Sequence, residues 1–429
     1  MNNYHSEGYR TVPVPYGKHW IKRLGAFIGP GFLVGVGYMD PGNWATGIAG
    51  GSAFGYTLLW VVALSSVMAV ILQILAARLG IASGMDLAQA CRARSSRYSA
   101  FAQWILCEIA ICACDLAEVI GTAIALNLLF GLPLIMGVLL TAIDVLLILW
   151  LQQRGFRYLE ALIATLIFLV VCAFTINLAL AQPVWRDLFA GLIPSAAIAT
   201  DQRMLYIAIG ILGATVMPHN LYLHSSVVQT RRYTHTRSGH REAAFFASID
   251  VISALAIACL INGAILCTAA AAFNSTGHRD VVQLQDAYHL LTPLMGTGLA
   301  STLFAMALLA AGQSSTITAT LAGQIVMEGY MHWRLAPWAR RLATRLAAIA
   351  PAVLVIVTVG DQGLGQLLLA SQVVLSMQLP FAMVPLIYFC GRKDMMKELV
   401  SPWWLTYGAS AFAVVIITSN ALLLLLSIS

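Results

Sequence analysis

The chain has 429 residues, of which 60% are hydrophobic and only 10% charged, with a net charge of +6. Soluble domains carry about 25% charged residues, so a cytosolic enzyme and a disordered chain are both excluded. The positive balance does not mark a nucleic-acid partner, because the basic residues are scattered over short connections and form no long run.

What remains is a polytopic, all-α membrane protein. Apolar runs recur along the whole length without the alternation of a barrel. In chain order the sequence predicts eleven spans, at 26–50, 54–79, 101–129, 134–152, 158–181, 204–230, 243–273, 298–327, 346–359, 364–390 and 403–428. Residues 1–25 are polar and basic and lack a small-residue cleavage site. The first span is therefore expected to remain in the mature protein, behind a cytoplasmic N-terminal segment. The longest loops are expected at 80–100, 182–203, 231–242 and 274–297, and no soluble domain interrupts the chain.

The basic residues set the orientation. With the N-terminus inside, the inner segments carry Arg10, Lys18, Lys22, Arg23, Arg78, Arg92, Arg94, Arg97, Arg154 and Arg157. They also carry Arg231, Arg232, Arg237, Arg241, Arg334, Arg340, Arg341, Arg345, Arg392, Lys393 and Lys397. Only Arg186, Arg203 and Arg279 of the 24 fall outside. Such a split predicts a cytoplasmic N-terminus and, after eleven spans, an external C-terminus.

Spans one and six share a feature. Asp40-Pro41-Gly42-Asn43 and Met217-Pro218-His219-Asn220 both read X-Pro-x-Asn, each behind a glycine-containing run (Gly35 and Gly37; Gly210 and Gly213). Five spans separate them, so the second copy is inverted in the membrane: 26–181 forms one repeat, 204–390 the other, and 403–428 an additional helix. Paired Gly/Pro-interrupted helices at matching positions point to the central site of a secondary transporter. Unwound backbone frees carbonyls that need a partner in hydrocarbon, and a cation is one. Asp40 adds a carboxylate, Asn43 an amide oxygen and Met217 a thioether. Hard Mg²⁺ and Ca²⁺ prefer oxygen throughout, whereas a thioether favours softer transition metals. The set suggests Mn²⁺ or Fe²⁺, with Cd²⁺ as a mimic. A methionine in a membrane helix is most often a packing residue; it is the coincidence of Asp, Asn and Met at matching breaks that favours ligation.

Span three carries Glu108, Asp115 and Glu118, and span six carries His219 and His224. Asp115 and Glu118 share a helix face. Two readings stand side by side: a proton route, and a structural ion pair with a basic residue such as Arg345. Gln366, Gln372 and Gln378 on span ten suit hydrogen bonding between helices.

At these residues the sequence resembles the Nramp family of proton-coupled divalent-metal transporters, in particular the bacterial manganese transporters of the MntH type. The carriers are Gly37-Tyr38-Met39-Asp40-Pro41-Gly42-Asn43, Asp115-Leu116-Ala117-Glu118, Gly213-Ala214-Thr215-Val216-Met217-Pro218-His219-Asn220, the stretch Gly312–Tyr330, and Ser371-Gln372-Val373-Val374-Leu375-Ser376. The resemblance implies a LeuT-type fold of two inverted five-helix repeats plus an eleventh helix, with helices one and six unwound at mid-membrane. It implies metal ligation by Asp40, Asn43 and Met217, with the carbonyls of Gly37 and Ala214, and Gln372 joining as the site closes. It implies a proton route through Asp40, His219, Asp115 and Glu118 towards Arg345; the residues themselves add Glu108 and His224 as candidate members. Gly37 stands where alanine is usual. Family members that carry Mg²⁺ lack the methionine that this chain keeps.

The expected activity is import of Mn²⁺, with Fe²⁺ and Cd²⁺, coupled to proton entry by alternating access in a bacterial inner membrane. No permanently bound cofactor and no obligate protein partner are expected; the partners are metal ions, protons and the bilayer. An amino-acid or amine symporter of the same fold is the alternative, opposed by Asp40 together with Met217. An intramembrane metalloenzyme would call for HExxH or a comparable set, which is absent from the sequence.

Overall fold

The computed structural model describes residues 9–15, 19–152, 156–234, 236–333 and 335–428, with side chains omitted at 144–152, 156–157, 159, 337 and 427–428. Lys18, Arg154 and Arg334, used above for orientation, lie outside the described residues. The helices that build the bundle are α1 (Pro30–Gly35), α2 (Pro41–Phe54), α3 (Leu59–Ser83), α4 (Arg97–Phe130), α5 (Leu134–Gln152), α6 (Phe156–Ala181) and α7 (Gln202–Thr215). They continue with α8 (Pro218–Val227), α9 (Arg237–Ala269), α10 (Gly298–Met331), α11 (Pro337–Thr358), α12 (Gly363–Cys390) and α13 (Trp403–Ile428). Each predicted span is thus helical. The first is divided into α1 and α2, and the sixth into α7 and α8.

Among the described residues, nine stretches are long and apolar enough to cross a membrane. That count differs from eleven for two reasons. The stretch Pro41–Ser83 holds both α2 and α3, and the described apolar part of α5, Leu134–Ile143, is short.

Several boundaries and loops correct the sequence reading. Helix α11 begins at Pro337, well before 346, with the proline in its first turn. Proline is tolerated there because that N–H has no helical partner. The extra turns carry Arg340, Arg341 and Arg345, all buried. Hydropathy ends a span at such residues, but ion pairing holds them inside. Helix α4 starts at Arg97, with Ser96 capping through its acceptance from Ser99 N. The expected loops also contain helices, at Leu87–Arg94, Trp185–Ala190 and Leu284–Met295. The first of these opens on a capping box, in which Asp86 accepts from Gln89 N and Gln89 from Asp86 N.

Close packing at the centre depends on glycine. A Cβ at Gly213 would lie 2.0 Å from the Gln372 carbonyl oxygen, so α7 rests directly on the backbone of α12. A Cβ at Gly80 would lie 2.1 Å from the Ser225 carbonyl oxygen, which fixes α3 against α8. Membrane helices use small residues in this way to bring backbones together.

Candidate functional site

Both breaks follow one local rule. Asp40 (φ −70, ψ 167) and Met217 (φ −71, ψ 121) are extended residues, each followed by a proline that opens the next helix. The proline therefore does not kink a continuous helix; it restarts one. The α-helix gives way before it, to the 3-10 turn Val36–Met39 in the first break and to the non-helical Val216 (φ −109, ψ 73) in the second.

Side chains take up carbonyls at the first break. Trp44 Nε1 donates to Met39 O at 3.2 Å, and Asn262 Nδ2 donates to Tyr38 O at 2.9 Å. Asp40 is fully buried and caps α2, its Oδ1 accepting from Asn43 N at 2.8 Å. Its Oδ2 is buried without a hydrogen-bond partner among the described residues.

The side-chain amide of Asn43 ties the two breaks together. One of its terminal atoms lies 2.7 Å from Asp40 Oδ1 and 3.3 Å from the carbonyl oxygen of Ala214. With nitrogen there, the amide donates to both, and its oxygen accepts from Asn262 Nδ2 at 3.3 Å. With oxygen there, three oxygens from two broken helices converge. Such a cluster is repulsive alone and is what a divalent cation stabilises.

The other expected site residues lie around this point. Gln372 comes against α2: a Cβ at Gly42 would sit 2.1 Å from its Nε2. That nitrogen donates to Ser371 Oγ at 2.9 Å, and Oε1 is buried without a partner among the described residues. Gly37 lies in the 3-10 turn, buried. The space a methyl would occupy there is filled by Asn220, whose Nδ2 would be 2.3 Å from the added Cβ. Met217 is fully buried and packs with Ala110, Cys114, Ala319 and Leu375. His219 is buried, and both its ring nitrogens lack hydrogen-bond partners among the described residues. His224 Nδ1 lies 3.0 Å from Gln73 Oε1, and Gln73 Nε2 donates to Tyr38 Oη at 2.7 Å. Helices α8 and α3 are thus linked to the first break.

The carboxylates of α4 face α11. Arg341 Nη1 donates to Asp115 Oδ1 at 2.5 Å, and Arg341 Nη2 to Glu118 Oε2 at 3.4 Å. Arg345 Nη1 lies 3.7 Å from Glu118 Oε2, and Arg345 Nη2 donates to Thr316 Oγ1 at 3.2 Å. Arg340 Nη2 contacts both oxygens of Glu108 at 3.0 Å, and Trp104 Nε1 donates to Oε1 at 3.0 Å. Arg345 is one member of this row and not its main cation; Arg341 is nearer to both central acids. The sequence reading placed all three arginines in a loop. Their spacing held the signal: Asp115 and Glu118 are one helical turn apart, and so are Arg341 and Arg345.

A second buried network holds α1. Arg231 donates to the carbonyls of Ala26 and Ile28, each at 3.0 Å, and to Glu160 Oε1 at 2.8 Å. Asp250 accepts from Gly29 N and Gly31 N, the latter at 2.6 Å. Arg231, expected as a loop charge, is 1% exposed. At the other end of the bundle a cavity of about 710 Å³ opens between the starts of α7 and α12, lined by Tyr206, Asp280, Gln283, Asp286, Gln362 and Gln366.

With this geometry in place, comparison with known proteins is direct. The family model "Natural resistance-associated macrophage protein-like" (Nramp) matches residues 31–426. A protein of Xanthomonas campestris named "Divalent metal cation transporter MntH" is 57% identical over 416 residues, covering 97% of this chain and 94% of the other. One of the same name from Xylella fastidiosa is 56% identical over 418 residues, covering 97% and 89%. The crystal structure of the Eremococcus coleocola manganese transporter, in complex with an aromatic bis-isothiourea compound, superposes with a TM-score of 0.89 at 41% identity, over 97% of this chain and 89% of that one. Mhp1, a nucleobase-cation-symport-1 family transporter, superposes with a TM-score of 0.61 at 16% identity, over 97% and 91%. This last likeness concerns the fold alone. The architecture is thus a LeuT-type transporter fold with helices one and six interrupted. The chain belongs to the Nramp family and is a multi-pass membrane protein. Its relatives are named as transporters, not as enzymes.

Proposed function

We propose that this protein imports Mn²⁺, with Fe²⁺ and Cd²⁺ as further substrates, coupled to proton entry across a bacterial inner membrane. The observation that carries the reading is the convergence of Asp40 Oδ1, the Asn43 amide and the Ala214 carbonyl from two interrupted helices. The names of the relatives support divalent metal, and manganese in particular, as the cargo.

In this reading Asp40, Asn43 and the Ala214 and Gly37 carbonyls supply oxygen, and Met217 supplies sulfur. Gln372 exchanges Ser371 Oγ for the cation as α12 moves. The amide of Asn43 holds the oxygens together by donating when the site is empty, then turns its oxygen inward when metal arrives. The 710 Å³ cavity is the external vestibule, and the Arg231–Glu160 and Asp250 contacts hold α1 shut on the inside. His219 and the Asp115–Glu118–Arg341 cluster carry the proton, with Glu108 and Arg340 continuing the row; His224 lies on the closed inner side. The N-terminus is cytoplasmic and the C-terminus external.

Calorimetric titration of the solubilised protein with Mn²⁺ tests the site. Wild type binds, and Asp40→Asn, which keeps the side-chain volume and removes the charge, loses affinity by at least about a hundredfold, the lower end of the roughly 3–5 kcal/mol for deleting one partner of a buried charge pair. Unchanged Mn²⁺ affinity in this variant would place the site elsewhere.

A further inference from the structure

The outer face of α4 and the ends of α10 and α11 form a surface that the transport reading leaves unused. We propose that this surface is a seat for an anionic phospholipid. Its headgroup phosphate sits at Arg97 and its acyl chain lies along α4. The leaflet, though not the seat, rests on the orientation proposed above, which makes it the cytoplasmic one.

Three observations carry the inference. First, Arg97, Phe101, Ile105 and Ile109 follow at intervals of four, so they form one stripe. Arg97 is exposed, and the three apolar side chains are 48%, 38% and 50% exposed. A cation at the head of an apolar stripe matches a phospholipid in both charge and length, whereas a free phosphate would have no use for the stripe. Second, the head of the stripe is flanked by aromatic rings. Phe101 lies 5.5 Å from Trp104, and Trp104 meets Trp333 edge-on at 5.6 Å. Trp333 and Trp338 are both more than half exposed. Indole rings settle at headgroup level, with the ring in the interface and the N–H towards water. Third, Arg97 is not neutralised by the protein. Its neighbour Arg94 is paired with Asp394 at 2.6 Å, but among the described residues no carboxylate is paired with Arg97. A juxtamembrane arginine left without a counter-ion attracts anionic lipid.

The seat also borders the carboxylate–arginine row, because Trp104 holds Glu108 at 3.0 Å. A lipid packed on Trp104 would therefore steady the outermost pair of that row.

The test uses the full-length protein in nanodiscs of phosphatidylcholine containing a minor fraction of brominated phosphatidylglycerol or brominated phosphatidylcholine. The fluorescence of Trp333 and Trp338 is isolated by subtracting the Trp333→Phe/Trp338→Phe protein. The expected result is a preference for phosphatidylglycerol of about fivefold, the effect of one basic residue near an anionic surface. Arg97→Gln should bring the preference close to one, and Arg97→Lys should retain it. Equal quenching by both lipids in wild type would overturn the proposal. So would a preference that survives Arg97→Gln, or one that Arg97→Lys abolishes. The readout is independent of metal transport, so failure of the transport reading leaves this result interpretable.

Discussion

At the scale of single residues, the proposed selectivity turns on Met217. Asp40 and Asn43 offer oxygen to any divalent cation, and Ca²⁺ accepts oxygen as readily as Mn²⁺ does. A thioether bonds weakly to a hard ion and usefully to a transition metal. It also fills a position that water or a carboxylate would otherwise occupy. Met217→Ala should therefore keep Mn²⁺ uptake at reduced affinity, weaken Cd²⁺ more, and let Ca²⁺ compete. Packing alone, in the cluster with Ala110, Cys114, Ala319 and Leu375, would instead lower all activity and leave the ion ranking unchanged. Competition of Ca²⁺ against Mn²⁺ uptake separates the two. Gly37 shows what the sequence could not reveal. The Asn220 amide lies where a methyl at this position would be, and only packing in three dimensions displays that fit.

At the scale of elements, the broken helices were legible because X-Pro-x-Asn is a local signal with a local cause. The α4–α11 row was only half legible. The acids stood out in an apolar span, but their partners fell outside the predicted one. Burial of Arg340, Arg341 and Arg345 depends on facing carboxylates that no hydropathy window can see. Neutralising Asp115 or Glu118 should reduce proton flux and the pH dependence of uptake more than it reduces metal affinity. Parallel loss of both would leave the cluster a purely structural role. Arg341→Leu should be worse for folding than either neutralisation, because it strands Asp115 and leaves Glu118 only the more distant Arg345; stranding one buried charge costs about 3–5 kcal/mol. A lowered melting temperature reads it. The connection before α4 gives a further pH prediction. Burial pushes the Asp86 carboxyl up to about 7, the hydrogen bonds from Gln89 and Ala88 opposing the shift. Its unfolded counterpart ionises near pH 4. Between those values the native state holds the proton and the unfolded state does not, so stability falls as pH rises from about 4 to about 7. Asp86→Asn keeps a capping oxygen and should flatten the decline in melting temperature over that interval. An unchanged slope would show that Asp86 does not set it.

At the scale of the whole molecule, the eleven segments were readable from apolar length, and the pairing of breaks five spans apart indicated two inverted halves. Orientation rests on fewer charges than the sequence suggests, since Arg231, Arg340, Arg341 and Arg345 are buried in ion pairs and not spread over a loop. The remaining basic residues of the sequence still favour the same side. Single cysteines at 92–98 should label only from the cytoplasm, and ones at 274–285 only from outside, in a protein freed of native cysteines. Labelling of both sets from one side would reverse the assignment. The central claim is that metal entering at the paired breaks moves together with protons. It is tested most directly in proteoliposomes, by following uptake of Mn²⁺, Fe²⁺, Cd²⁺, Mg²⁺ and Ca²⁺ while recording internal pH. Mn²⁺ should accumulate with internal acidification, Fe²⁺ and Cd²⁺ should be taken up, and Mg²⁺ and Ca²⁺ should be excluded. Mn²⁺ uptake with no change in internal pH, or equal uptake of Ca²⁺, would contradict it.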